Sequence, residues 1–414
     1  MKILVIGSGG REHAIAWKFA QNKNIEKIYV APGNGGTELM EICENINLNS
    51  REEMLEFAKE NNIGLTMVGS EEMLVDGIVD EFEKNGLRIF GPNKKAAILE
   101  GSKSFSKDFM KKYGVKTAKY EIFTDYEKAI NYLDKIEYPT VIKASGLAAG
   151  KGVIIAQDKN EGVEAIKDMM LDNKFSDAGN EIVIEEFLVG VEASILSITD
   201  GETIVPFISA KDHKKIGEGE IGLNTGGMGV VAPNPYVTSE IMEEFIDGIM
   251  NPTLEGLKSE GMKFNGVIFF GLMITEKGIY SLEYNMRLGD PETQVVLPLM
   301  ENDFLEVLEM CIEGELDKLE MKWKEQSACC VVGVSGGYPE TYGKGYEIEG
   351  ISKVEDLVFI AGAKLEENKM LTSGGRVINI VSLGDKLEEA RVGAYNSMEK
   401  VKFKDMYFRR DIGK

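Results

Sequence analysis

Residues 143–153, KASGLAAGKGV, limit what this chain can become more than any other stretch. Gly146 and Gly150 lie between Lys143 and Lys151, Gly152 follows directly, and apolar runs flank the segment, Thr140-Val141-Ile142 before it and Val153-Ile154-Ile155 after it. The pattern reads as strand, glycine-rich loop, strand. Glycine lets backbone turn sharply and approach a ligand closely, and consecutive amide N–H groups in such a loop form an anion-binding concavity. A lysine at each end adds a point charge suited to phosphate oxygens. The competing reading is a hairpin turn with solvated lysines, and the segment by itself does not separate the two.

Charge sharpens the question. The 414 residues carry a formal net charge of −22. That excludes a broad basic nucleic-acid footprint and attraction to anionic membranes, so no nucleic acid and no membrane is expected as a partner. An acidic protein that binds phosphorylated molecules must concentrate its cations locally. The chain opens MKILVIGSGG, without the layout of a secretory leader, and no apolar run has the length of a membrane span. The four cysteines (43, 311, 329 and 330) show no CxxC spacing, which points away from zinc or a disulfide framework and towards the cytoplasm.

Taken in order, residues 2–6 read as a buried parallel strand, followed by Gly7-Ser8-Gly9-Gly10-Arg11-Glu12-His13, a helix over 14–21 and a second strand over 25–30. This is the start of a doubly wound α/β unit. It departs from a dinucleotide fingerprint twice: Glu12 stands where a third glycine would be, and the second strand runs into Ala31-Pro32-Gly33 with no acid for a ribose. The loop reads as a phosphate or small-anion site at a helix N-terminus, or as a structural turn. Further strands are expected over 65–68 and 88–90 and helices over 51–61 and 75–85, with Gly69-Ser70-Glu71 at a strand's carboxyl end. A helix is expected over 96–113 with Lys103 inside it.

A small α/β unit over about 115–190 holds the opening segment and ends in Glu185-Glu186-Phe187-Leu188, either a strand emerging into solvent or a hinge meeting an adenine edge. Downstream, Lys211-Asp212-His213-Lys214, Asn224-Thr225-Gly226-Gly227 and the run from Glu283 to Glu292 stand out. Glu283 and Asn285 are two apart in a strand-like run and so share a face; a carboxylate and an amide oxygen there suit Mg²⁺ shared with phosphates. Both histidines, His13 and His213, fall in these stretches, and Arg287 is the first arginine after Arg88. Residues 326–414 read as a small α+β domain, with strands over 328–334 and 376–383 and a helix near 387–401.

Ten segments together resemble the ATP-grasp ligases, and within them the phosphoribosylamine–glycine ligases. They are GSGGREHA from Gly7, APGNGGT from Ala31, LEGSKSFSKDF from Leu99, KASGLAAGKGV from Lys143, VIEEFLVGVEAS from Val183, DHK at Asp212, NTGGMG from Asn224, EYNMRLGDPETQ from Glu283, GGYP at Gly336 and SGGRV at Ser373. Their order and spacing carry the specificity. The chain departs from the family pattern at Ser145, where Asp is usual, at Ser70 and Met73, where prolines are usual, and at Val191, where a second Glu is usual.

The resemblance implies a multi-domain α/β and α+β fold: a doubly wound N-terminal domain over 1–100, an ATP-grasp domain over 101–325 with a mobile lid at about 115–190, and a C-terminal α+β domain over 326–414. It implies ATP-dependent joining of glycine to 5-phosphoribosylamine through glycyl phosphate, giving ADP and phosphate. ATP is the co-substrate, the metal Mg²⁺ or Mn²⁺, the partners small molecules, and the acting unit a monomer. Arg287, Lys143 and Asp212 are implied to be catalytic. ATP is assigned to Lys103, Lys143, Gly146, Gly150, Lys151, Gly152, Glu185, Glu186, Phe187, Leu188 and Glu192. The other substrates fall to Gly9, Gly10, Arg11, Glu12, Gly33, Asn34, Gly35, Thr37, Glu71, Asp212, Asn224, Thr225, Gly226, Gly227 and Arg287. Glu283 and Asn285 are implied to hold the metal. Three rivals are weighed against this. A ligase of the same fold with another acceptor would be told apart by its substrates. A nucleotide sensor needs no metal pair, and a Rossmann oxidoreductase is opposed by Glu12.

Overall fold

The apolar run at the N-terminus becomes the centre of a five-stranded parallel sheet in the order Cys43–Asn45, Lys27–Pro32, Lys2–Gly7, Leu65–Val68, Ile89–Phe90. The computed structural model describes residues 1–148, 152–172, 174 and 176–414. Lys2–Gly7 is buried along its length because helices cover both faces, which is why its sequence is continuously apolar rather than alternating. Strand order reverses beside it, so the carboxyl ends of Lys2–Gly7 and Leu65–Val68 flank the crevice where open α/β sheets bind ligands. That crevice is filled. The Glu12 side chain is 1% exposed, and Cβ atoms placed at Gly7 (φ +137°) or Gly69 would collide with its carboxylate. The two glycines make room for Glu12, whose Oε2 accepts the Gly9 N–H at 2.6 Å.

Three further sheets complete the frame. The first runs Tyr120–Phe123, Ile182–Glu186, Thr140–Ala144, Val153–Ala156, antiparallel throughout. Helices Tyr126–Tyr132 and Lys159–Met170 cover it, and Ile142, Ile166, Ile182 and Ile184 belong to a core of its own. The strands on either side of the glycine-rich segment therefore pair as a hairpin. A second antiparallel sheet runs Ile204–Pro206, Val191–Thr199, Gly266–Thr275, Gly278–Asn285. The third runs Lys211–Asp212, Gly229–Ala232, Ser327–Val334, Arg376–Gly384, Leu357–Ile360. Strands before residue 233 and after residue 326 thus share one sheet. The largest core joins that sheet to the N-terminal one through the wholly buried helix Thr293–Leu299.

Two helices expected as single pieces are broken. The 96–113 stretch forms Lys94–Gly101 and Lys103–Lys112, with Ser102 extended between them and its Oγ accepting the Phe105 N–H at 3.2 Å. A serine after a glycine caps a new helix in preference to continuing the old one. Lys103 therefore opens a helix rather than lying inside one. The 75–85 stretch is likewise divided into Glu71–Asp76 and Ile78–Lys84 at Gly77, whose φ of +92° interrupts the spiral.

His13 fixes the N-terminal domain to the C-terminal one. Its Nδ1 accepts the Ile360 N–H at 2.9 Å, and its ring meets Phe359 edge-on at 5.6 Å. Burial pushes its pKa down to about 4 from the ordinary 6.5. Between those values the unfolded chain binds the proton and the folded one does not, so stability is fully present above pH 6.5 and falls as pH drops towards 4. The loss amounts to about 3 kcal/mol. His213 shifts in the same direction to about 4. Denaturant unfolding at stepped pH is therefore expected to show His13→Gln removing roughly half of the histidine-linked acid loss.

Candidate active site

A cavity of about 310 Å³ opens where the small antiparallel sheet, the Gly278–Asn285 strand and the 211–226 segment meet. Its chemistry depends on an irregularity in that strand. Gly271 pairs with Glu283 but Leu272 pairs with Ser281, so Leu282 is an extra residue. Before this bulge Ile279 points into the core behind the sheet; after it Tyr284 and Met286 do. The parity has changed. Glu283, Asn285 and Arg287 consequently face the cavity together. Bulges re-aim side chains in this way beside functional sites.

Cations converge on this row. Burial works against a charge on Glu283, but Lys214, Lys143, Lys103 and Arg287 outweigh it and hold the carboxyl at about 2. Lys214 stands 3.2 Å from Glu192 and 3.9 Å from Glu283, and Glu192 above all raises its pKa. Lys143 is 3.0 Å from Glu185, which also meets Lys107 at 3.1 Å; all three are buried. Desolvation would neutralise Glu185, yet the two lysines keep its pKa below the ordinary carboxylate value. Burial lowers Lys107 to about 8. Lys103 is placed by its backbone: its N–H donates to Ser145 O at 2.8 Å, and its Nζ reaches Gly146 O at 3.4 Å. The Ser145 hydroxyl joins Ser104 and Ser102 at 2.9 and 3.3 Å, so this departure from the family pattern sits inside a serine cluster that holds the start of the Lys103 helix.

Arg287 bridges two carboxylates, with Nη2 at 3.1 Å from Glu100 and Nε at 3.6 Å from Glu71. Asp212 is buried against Gly227, and its Oδ1 has no hydrogen-bond partner among the described residues. Burial first, and Glu292 second, push its pKa well up. Among the described residues no group of three or more His, Cys, Asp and Glu side chains could hold a metal ion. The pair Glu283 and Asn285 nevertheless offers one ionised carboxylate and one amide oxygen to the same space. Hard oxygen donors of that number fit a divalent cation whose remaining ligands come from phosphates or water.

A second cavity, about 470 Å³, lies between the N-terminal loops and the C-terminal sheet. Ser8, Gly9, Gly33 and Asn34 form one wall; Tyr338, Lys364, Ser373 and Arg376 form the other. Asp290 borders both cavities. Arg376 Nη2 is 3.5 Å from Asp290, and Nη1 donates to Asp290 O at 2.7 Å and to Gly226 O at 2.5 Å. Tyr338 Oη accepts the Gly226 N–H at 3.1 Å.

Models of the phosphoribosylglycinamide synthetase N domain, ATP-grasp (A) domain and C domain match residues 1–100, 101–293 and 328–414. The chain belongs to the phosphoribosylglycinamide synthetase family. A phosphoribosylamine–glycine ligase of Fusobacterium nucleatum is 59% identical, the match covering 100% of this chain and 98% of that one. The crystal structure of the Thermotoga maritima phosphoribosylamine–glycine ligase superposes with a TM-score of 0.85 at 35% identity, covering 100% of both chains. The biotin carboxylase domain of Hydrogenobacter thermophilus 2-oxoglutarate carboxylase gives a TM-score of 0.74 at 16% identity over 98% of this chain and 91% of that one, a likeness of fold. The family is built on an ATP-grasp domain, and ATP with a divalent metal belongs to its chemistry.

Against this family frame, the expected residues divide. Lys103, Lys143, Gly152, Glu185, Glu186, Phe187, Leu188, Glu192, Glu71, Asp212, Asn224, Thr225, Gly226, Glu283, Asn285 and Arg287 all border the main cavity. Gly9, Gly33 and Asn34 border the second. Gly150 and Lys151 lie outside the described residues. Gly146 and Gly227 stand just behind the main wall, against Lys103 and Asp212. Gly10, Arg11, Glu12, Gly35 and Thr37 border neither cavity. Arg11 is committed to Glu12 at 2.5 Å and to Leu288 O at 3.1 Å, and Thr37 donates to Asn45 at 2.6 Å. Cβ atoms at Gly10 and Gly35 would strike Asn379 and Met370 of the C-terminal domain.

The sequence alone assigned no role to Lys107, Lys214, Asp290, Glu292, Lys364 or Arg376, all of which border one of the cavities. Lys107 carried a signal, standing four residues after Lys103 on one helix face. Removing the charge of Glu185 leaves two buried lysines facing each other. Glu185→Gln is expected to cost about 3 kcal/mol in urea unfolding, and adding Lys107→Met to restore part of it.

Proposed function

We propose that the chain joins glycine to 5-phosphoribosylamine at the expense of ATP, forming glycinamide ribonucleotide, ADP and phosphate for purine synthesis. The observation that carries this reading is the ionised Glu283, aligned with Asn285 and Arg287, ringed by lysines and connected through Asp290 to a second cavity. A carboxylate is a poor acyl donor because oxide is a poor leaving group. An oxygen of glycine attacks the γ-phosphorus of ATP, the bond to ADP breaks, and glycyl phosphate forms. The amine of phosphoribosylamine then attacks the acyl carbon, phosphate departs, and the nitrogen loses a proton.

Phosphoryl transfer asks mainly for positioning and charge neutralisation. Lys103 and Lys143 face the α- and β-oxygens, and Arg287 faces the transferring group or the glycine carboxylate. Glu283 and Asn285 hold the divalent ion, Mg²⁺ or Mn²⁺, which when bound neutralises phosphate charge. The backbone of Glu186 to Leu188 meets the adenine edge and Glu192 the ribose, while the Glu185 side chain anchors Lys143. Asp212 with Asn224 to Gly227 seats glycine and the incoming amine. The second cavity takes the phosphoribosyl group, between Gly9, Gly33 and Asn34 on one side and Lys364 on the other. The 115–190 unit, with its separate core, acts as a lid that keeps water from the acyl phosphate. Its amides are expected to exchange more slowly once ATP and Mg²⁺ are added; equal exchange in both states would argue against closure. The working unit in this reading is a cytoplasmic monomer.

The deciding assay is ADP release from ATP and glycine with and without freshly made phosphoribosylamine. Glu283→Ala is expected to abolish turnover while leaving the circular dichroism spectrum unchanged. Lys364→Ala loses a charge-assisted contact, so KM for phosphoribosylamine should rise about tenfold with ATP affinity unchanged. A folded Glu283→Ala enzyme with parental turnover would remove the metal pair from the site.

A further inference from the structure

The last residues of the chain grip the back of the segment that supplies Asp212 and Lys214. Strand alternation sends Asp212 and Lys214 into the main cavity and His213 the opposite way. On that far side His213 Nδ1 lies 3.2 Å from Gly229 O, and Nε2 accepts the Gly413 N–H at 3.5 Å. Only a neutral ring protonated on Nδ1 satisfies both bonds.

The hairpin that follows, Lys215–Gly217 and Ile221–Asn224, borders the same cavity through Lys215 and Asn224. Its tip projects outward, with Ile221 66% and Leu223 52% exposed, so packing does little to fix it. Its fixed points come from the C-terminal segment. Arg409 is 1% exposed, the largest fully buried side chain in the protein's described residues. Its Nη1 donates to Lys215 O at 2.9 Å, its Nη2 to Glu220 Oε1 at 2.7 Å, and its Nε and Nη2 to Asp411 at 2.8 Å each. Asp411 Oδ2 in turn accepts the Gly219 N–H at 2.7 Å, and Glu218 Oε1 accepts the Arg410 N–H at 3.1 Å. Tyr395 holds the segment from behind, donating to Arg409 O at 2.8 Å and accepting from Ile412 N at 3.0 Å.

We infer that Arg409 is a positioning residue for the ligation reaction: through Lys215, Glu220 and Asp411 it braces the 215–224 hairpin and so fixes Asp212 and Lys214 in the cavity. A guanidinium suits the task because its rigid planar fork presents donors on separate nitrogens in fixed directions, whereas the donors of an ammonium share a single rotating nitrogen. The inference rests on the proposed reading of the main cavity. Lys214 touches Glu192 and Glu283, so movement of its backbone shifts the charge beside the carboxylate assigned to the metal.

The test uses the full-length protein and two readouts. In Arg409→Met, hydrogen exchange of the 216–223 amides is expected to accelerate about tenfold or more, with the Ser327–Val334 strand unchanged. In the same variant kcat should fall about tenfold or more, while KM for phosphoribosylamine, whose phosphoribosyl group is held in the second cavity, stays within about twofold. Arg409→Lys should fall between parent and Arg409→Met in both. Because removal of a buried arginine can block folding, Glu220→Gln is run beside it; that side chain is 54% exposed, and the variant should speed hairpin exchange and lower kcat a few-fold. Unchanged hairpin exchange in either folded variant overturns the brace. Faster exchange with unaltered kcat overturns the positioning role, as does a drop in kcat that only tracks the fraction unfolded. If the parent enzyme releases no ADP with these substrates, the functional reading fails instead, and the exchange result still decides whether the brace exists.

Discussion

Glu283 can stay ionised inside the cavity only because four cations surround it. Burying a lone carboxylate would neutralise it, and burying lone lysines would do the same to them. The Glu283 carboxylate is therefore charged on account of its neighbours. The arrangement also shows how a chain with a net charge of −22 concentrates lysines in one cavity. Lys103, Lys143 and Lys214 come from three different segments, and each has a local anchor: the Ser145 carbonyl for Lys103, Glu185 for Lys143 and Glu192 for Lys214. Glu185 is shared with Lys107, so the anchor of Lys143 carries more positive than negative charge around it. The excess favours anionic phosphate over the empty site.

The two cavities meet at a single carboxylate. Burial opposes ionisation of Asp290, but Arg376 and Arg11 keep its pKa below the ordinary value. Arg376 extends from the C-terminal sheet to the Gly226 carbonyl, which lines the main cavity. Asp290 and Gly226 thus hold the C-terminal wall of one cavity against the floor of the other. The Glu12 carboxylate performs a different job at the neighbouring switch point. It fills the crevice that a dinucleotide would need and ties the Gly9 amide, leaving the outer loop to form the second cavity.

Much of this was legible in the sequence because the informative signals were local. Glycines beside lysines marked the 143–153 hairpin, and the missing third glycine at Glu12 turned the N-terminal loop away from a dinucleotide. The two-residue spacing of Glu283 and Asn285 placed them on one face. What escaped notice was set by non-local pairing. The bulge at Leu282 arises from register with Gly271 and Leu272, which no window around Glu283 reveals. Arg11 stood inside a strong motif, yet its partners in the structure are Glu12 and a carbonyl 277 residues away. Glu185 drew interest as an adenine reader, whereas its carboxylate is already claimed by Lys143 and Lys107. The helix break at Ser102 was local and still lost, because apolar periodicity ran through a capping signal that was itself sufficient.

Sharing one sheet between the 211–232 segment and the C-terminal strands has a mechanical consequence. Asp212, the Gly226 carbonyl and the wall formed by Arg376 belong to one hydrogen-bonded and continuously packed body, along with the helix that follows Glu292. The small sheet that carries Lys143 and Glu185 has a separate core. Among the described residues its links to the rest include polar bonds such as Lys103 N to Ser145 O, Lys107 Nζ to Glu185 and Lys143 Nζ to Leu282 O at 3.5 Å. Packed cores resist shear, while isolated polar contacts exchange readily for water or ligand. Freedom to open is therefore concentrated at the end of the main cavity that carries Lys143 and Glu185. The end where glycine and the amine would meet is built into the rigid body, which is where an acyl transfer most needs fixed geometry.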